Sequence, residues 1–162
     1  MQKHVRLILL TILFLIFQNT VVSFTSVLNI IPDVMLIWIV YIAVTNGQIT
    51  ATVYGFGIGL AIDLVSGEFL GLYALCKTIA GFLAGYFYHE NKIEMTLSNY
   101  RFLVIVGVIS FVHNIIYFII FTRGSDVGFF AAIFQFGIFS SLYTTVIASI
   151  PMFVYMRKPQ LR

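Results

Sequence analysis

From Val34 to Ile62 the chain carries no charged side chain over 29 residues, and from Val127 to Met156 it carries none over 30. Leu7–Thr25 and Phe102–Thr122 are uncharged too, and Phe69–Tyr88 is interrupted only by Lys77. Soluble domains are roughly 25% charged; here the charged fraction is 9%, 60% of residues are hydrophobic, and the mean hydropathy is +1.03. A chain of 162 residues with so little charge cannot clothe a water-soluble globule. The runs are continuous rather than alternating, which excludes barrel strands. An all-α polytopic membrane protein is the expected class.

The helix count turns on the run from 34 to 62. As one helix it would be about 43 Å long, too long for a hydrocarbon core of about 30 Å. Asn46-Gly47 inside it is a turn signal. Two short segments, 33–45 and 48–64, are therefore expected, either as short crossings or as a re-entrant hairpin. The other expected spans are 6–25, 70–88, 102–122 and 129–155, giving six in a single membrane domain over 1–162. The first block continues to Phe24 without a clear cleavage site, so it reads as a span rather than a signal peptide.

Charge placement sets the orientation. With six spans, Lys3, Arg6, Lys92, Arg101, Arg157, Lys158 and Arg162 share one side, and only Arg123 falls in an opposite loop. Cytoplasmic loops collect Lys and Arg, so both termini are expected in the cytoplasm. Asp33, Asp63, Glu68 and Asp126 then sit at or near outer edges. The basic residues form no aromatic-interleaved patch for nucleic acid.

Two charges fall at membrane depth, where ionisable groups are costly and usually paired or functional. Ala51, Gly55, Gly59 and Asp63 recur every four residues, as do Tyr73, Lys77, Gly81 and Gly85. Each stripe contains a G-x-x-x-G spacing, which permits close backbone approach between helices. With the connecting turn near Gly67, Asp63 lies about 9 Å nearer the outer surface than Lys77. Helical side chains tilt toward the N-terminus, so in an antiparallel pair these two lean toward each other. An interhelical Asp63–Lys77 ion pair is expected, with Glu68 as a competing partner. His113, Asn114, Gln18, Asn19 and Gln135 read as interhelical hydrogen-bonding groups.

Nothing in the sequence points to catalysis. There is no Gly-x-Ser-x-Gly, no His-Glu-x-x-His and no phosphate-binding glycine loop. The lone Cys76 precludes an internal disulfide, and no His/Cys/carboxylate set completes a metal site. Glu90 and Glu94, with Lys92 between them, read as a solvated helix end. No cofactor is expected.

The middle of the chain carries a recognisable set of motifs. Pro32-Asp33 precedes the second span; Gly55-Phe56-Gly57-Ile58-Gly59-Leu60-Ala61-Ile62-Asp63 ends the third. Ser66-Gly67, Leu70-Gly71-Leu72-Tyr73-Ala74-Leu75 and Gly81-Phe82-Leu83-Ala84-Gly85 follow. Over residues 32–85 this resembles the MreD family of bacterial rod shape-determining proteins. The resemblance implies a non-enzymatic component of the cell-wall elongation machinery in the bacterial cytoplasmic membrane. It implies a fold similar to the six-helix substrate-binding subunits of energy-coupling-factor vitamin transporters. The implied partners are an MreC-like bitopic protein and, through it, a RodA-type glycosyltransferase, a penicillin-binding transpeptidase and an MreB-like actin filament. Pro32, Asp33, Gly55, Gly59, Asp63, Gly67, Leu70, Gly71, Lys77, Gly81 and Gly85 are the candidate helix-packing or partner-binding residues.

A second reading is a vitamin-like-ligand binding subunit of a transporter. It would need an outward-facing polar cavity, which Trp38, Asp33 and Glu68 could line.

Overall fold

A computed structural model of the chain describes residues 2–20, 31–67, 69–122 and 137–156. Among them the chain forms seven α-helices and no strand: α1 (Gln2–Thr20), α2 (Val34–Asn46), α3 (Gln48–Ser66), α4 (Leu72–Ala84), α5 (Ile93–Leu97), α6 (Tyr100–Phe121) and α7 (Phe139–Met156). Short 3-10 turns at Gly85–Phe87 and Glu90–Lys92 link α4 to α5. The readings for Glu68, Arg123, Asp126, Gln135, Arg157, Lys158 and Arg162, and for the side chains of Lys3 and Asn19, lie outside the described residues.

The 29-residue uncharged run is two helices broken at one glycine. Gly47 takes φ +87°, a left-handed value that a residue with a Cβ rarely adopts. Its N–H closes α2 on the Ala43 carbonyl, and its own carbonyl accepts from Ala51 at the start of α3. One residue thus ends one helix and begins the next.

α2 is the centre of the molecule. Its residues Met35 to Val44 are buried all round except Tyr41, which is half-buried. Helices α1, α3, α4, α6 and α7 pack about it. A helix apolar on every side must be enclosed, and here other helices do the enclosing. That is why 13 residues suffice: at about 20 Å α2 is shorter than the hydrocarbon core, but its ends meet protein.

α3 and α4 form the most intimate pair. A Cβ added to Gly55 would strike the Lys77 carbonyl, and one on Gly59 would strike the Tyr73–Ala74 backbone. From the other side, a Cβ on Gly81 would meet the Ala51 carbonyl, and one on Gly85 would meet Gln48. The two stripes therefore face each other, and backbone touches backbone along the seam. The outer faces are apolar: Leu9 and Leu13 on α1, Val53 and Leu64 on α3, and Val146 and Phe153 on α7 are all more than half exposed.

Candidate functional site

The polar groups of the interior converge where α2 begins. Asp33 caps α2, its Oδ1 accepting from the Leu36 N–H at 2.9 Å. This satisfies one of the four donors that open every helix. Its Oδ2 lies 2.5 Å from the Lys77 Nζ on α4. The Asp33 N–H donates to Thr144 Oγ1 on α7 at 3.1 Å. On either side, Gln18 of α1 clamps the chain: its Nε2 donates to the Pro32 carbonyl at 3.1 Å and its Oε1 accepts from the Val34 N–H at 3.0 Å. Three consecutive residues are thereby tied to α1, α4 and α7. Pro32 itself is fully buried. A proline at this point has no N–H to satisfy.

Lys77 is 1% exposed while Asp33 keeps 22%. An ammonium that deep is tolerable only with an anion in contact. The Tyr73 ring, its centroid 5.9 Å from Nζ, adds a cation–π contact. His113 of α6 completes the neighbourhood: it is 4% exposed and feels the charges of both Lys77 and Asp33. Its Nε2 has no hydrogen-bond partner among the described residues.

The ion pair differs from the sequence expectation of Asp63–Lys77. Asp63 is buried, but both its oxygens are taken by the start of α4. Oδ2 accepts from the N–H groups of Gly71 and Ala74 at 3.0 Å, and Oδ1 accepts from Tyr73 at 2.9 Å. The N-cap position of α4 is Gly71, at φ +94°, which offers no side chain of its own. Asp63 supplies the missing cap from α3, where the positive end of the helix dipole also favours a carboxylate. Lys77 lies a turn further along α4, level with the start of α2. Lateral placement of α2 decides the pairing, and spacing within α3 and α4 does not contain it.

The remaining candidates separate by role. Gly55, Gly59, Gly81 and Gly85 are the α3–α4 seam. Gly67 ends α3 in the left-handed conformation, its N–H on the Asp63 carbonyl. Leu70, 72% exposed, stands apart from all of these. The cavity proposed for Trp38, Asp33 and Glu68 does not form from the two described members. Trp38 is buried, stacked on Tyr41 and donating to Thr11 Oγ1 at 2.9 Å, and Asp33 is occupied by Lys77.

Gln18 and Asn114 bridge helices, the latter donating to Ser141 Oγ at 3.0 Å and to the Gly137 carbonyl at 3.2 Å. Sequence alone does not single out Thr11, Thr144 and Ser141. Their signal is faint: hydroxyls inside apolar runs, Ser140-Ser141 and Thr144-Thr145 standing one turn apart. The described residues contain no cluster of metal-binding side chains.

No curated protein and no solved structure matches the chain significantly. A family model does, and it takes in both the Pro32-Asp33 hub and the Asp63-capped seam. It is that of the rod shape-determining protein MreD, it matches residues 1–159, and the chain belongs to that family.

Proposed function

We propose that this protein is a non-enzymatic, multi-pass scaffold of the cell-wall elongation machinery. In this reading it crosses the bacterial cytoplasmic membrane six times with both termini inside, and presents helix surfaces to an MreC-like bitopic partner. Through that partner it acts on a RodA-type glycosyltransferase, a penicillin-binding transpeptidase and an MreB-like filament. Membership of the rod-shape family supports the process. The bias of Lys and Arg supports the orientation. Gln48–Ser66 and Tyr100–Phe121 are each long and apolar enough to cross a bilayer, and four shorter apolar helices accompany them.

The observation that carries the reading is the inverted distribution of polarity. Asp33, Lys77, Asp63 and His113 are turned inward, while the outward faces of α1, α3 and α7 are apolar. In water such a surface would aggregate; in lipid it is available for recognition. Lipid gives no hydrophobic drive to helix association, so partners are selected by shape.

Co-purification with an MreC homologue in detergent tests this. Gly57 faces open space on α3, so Gly57→Leu adds bulk outside the chain without disturbing its packing. Leu9→Trp on α1 and Leu142→Trp on α7 do the same on exposed positions. One of the three is expected to abolish association while the protein still accumulates and runs as a single species. If all three retain full association, recognition through the membrane-facing helix surface is wrong.

A further inference from the structure

The segment between α4 and α6 ends in a hollow of about 370 Å³ at the foot of α6. His89, Lys92 and Arg101 line it, with Thr96 and Tyr100 between them. Lys92 and Arg101 are exposed and have no ion-pair partner among the described residues. Glu90 and Glu94, though close in sequence, do not line the hollow. The charged side chains that line the hollow are therefore both cations, although its segment carries both signs of charge.

The hollow adjoins an apolar groove. Val104 lines its upper wall and also lines a second groove, of about 390 Å³, between α6 and α7. That groove runs past Gly107, Val108 and Phe111 on α6 and Leu142 on α7, and is almost wholly apolar. Arg101 to Phe111 spans about 15 Å of helix, which is half the thickness of a hydrocarbon core of about 30 Å. A cationic cup that shares Val104 with an apolar groove, the two together about one leaflet long, has the amphipathic layout of a phospholipid.

We propose that this surface binds one anionic phospholipid, its phosphate held by Lys92 and Arg101 and one acyl chain laid along Val104, Val108 and Phe111. Tyr100, 65% exposed at the start of α6, stands where an interfacial ring is favoured. Basic pockets on the cytoplasmic side of membrane helices are suited to anionic headgroups. The leaflet assignment rests on the proposed orientation, with residues 88–101 inside; the binding itself does not.

The test is native mass spectrometry of the full chain in detergent, titrated with phosphatidylglycerol, phosphatidylethanolamine or inorganic phosphate. Each interfacial cation contributes about fivefold, so phosphatidylglycerol is expected to bind several-fold to about thirtyfold more tightly than phosphatidylethanolamine. Lys92→Gln with Arg101→Gln should erase that preference, and Arg101→Gln alone should reduce it about fivefold. Val108→Trp should weaken long-chain phosphatidylglycerol and spare a short-chain form. Circular dichroism on heating checks that each variant is folded.

Equal binding of the two lipids, or a preference that survives the double substitution, overturns the proposal. So does displacement of the lipid by millimolar phosphate, which would mark a site for a soluble anion. Labelling of Asn91→Cys from the outside would overturn the orientation alone and leave the micelle measurement standing.

Discussion

The Lys77 ammonium contacts the carboxylate of Asp33, 44 residues earlier in the chain, while Asp63 gives both its oxygens to the backbone of α4. The two carboxylates thus have different work. Asp33 fixes where the central helix sits against α4. Asp63 fixes how α4 leaves α3. The first is a long-range lock and the second is a local joint.

The lock should be asymmetric. Asp33→Asn leaves a 1% exposed ammonium without an anion, and breaking a buried pair in this way costs about 3–5 kcal/mol. Lys77→Met leaves a carboxylate that keeps 22% exposure and its Leu36 N–H, and should cost less. The double variant should be more stable than the sum of the two losses. Thermal midpoints in detergent check the order: Asp33→Asn lowest, Lys77→Met higher, and positive coupling in the cycle. A cycle between Asp63→Asn and Lys77→Met should show much weaker coupling.

The joint should fail locally. Asp63→Ala strips three N–H groups of their acceptor, a loss of about 2–4 kcal/mol when cap and burial effects are combined. Asn retains a single acceptor oxygen, so Asp63→Asn should fall between Ala and the parent. Hydrogen exchange separates this role from the ion pair. Amides of Gly71, Tyr73 and Ala74 should exchange faster in Asp63→Ala and stay protected in Lys77→Met. Equal exposure in both variants would show that the two sites act as one unit.

Much of this architecture is written in local pattern. Asn46-Gly47 marks the break in the long uncharged run, and the four-residue spacing of Gly55, Gly59, Gly81 and Gly85 marks the seam. Both are short-range consequences of backbone geometry. The Asp63 cap was half legible: α4 lacks a Ser, Thr, Asp or Asn at its N-cap, so some acceptor had to arrive from elsewhere. The Asp33–Lys77 pair was not legible. It depends on α2 being placed against α4, and no periodicity within α3 or α4 encodes that placement. Nor does hydropathy distinguish α2, enclosed by protein, from helices such as α6 that leave an apolar face exposed.

Gly57 and Gly59 make a close-range test of the seam. Both lie mid-helix on α3, two residues apart and on opposite sides. A Cβ on Gly57 meets nothing within 4 Å, whereas one on Gly59 collides with the Tyr73–Ala74 backbone. Gly57→Ala should be neutral or stabilising by up to about 1 kcal/mol, because alanine restricts the unfolded chain and favours helix. Gly59→Ala should destabilise by about 1–3 kcal/mol through overpacking against atoms that cannot yield. A shared sign for the two thermal shifts would mean that α3 packs on α4 through a different face.

His113 presents the opposite case, a polar group whose removal should help. Its Nε2 is buried without a partner among the described residues, and a buried unsatisfied nitrogen costs about 1–3 kcal/mol. An apolar residue of similar volume avoids that cost, so His113→Leu should leave the thermal midpoint unchanged or raise it. Cell-shape complementation by the same variant then distinguishes packing from function. A residue that only fills the core can be replaced by leucine with rod shape retained. A variant that is more stable yet fails to restore rod shape would identify His113, beside the Asp33–Lys77 pair, as a group retained for activity at the expense of stability.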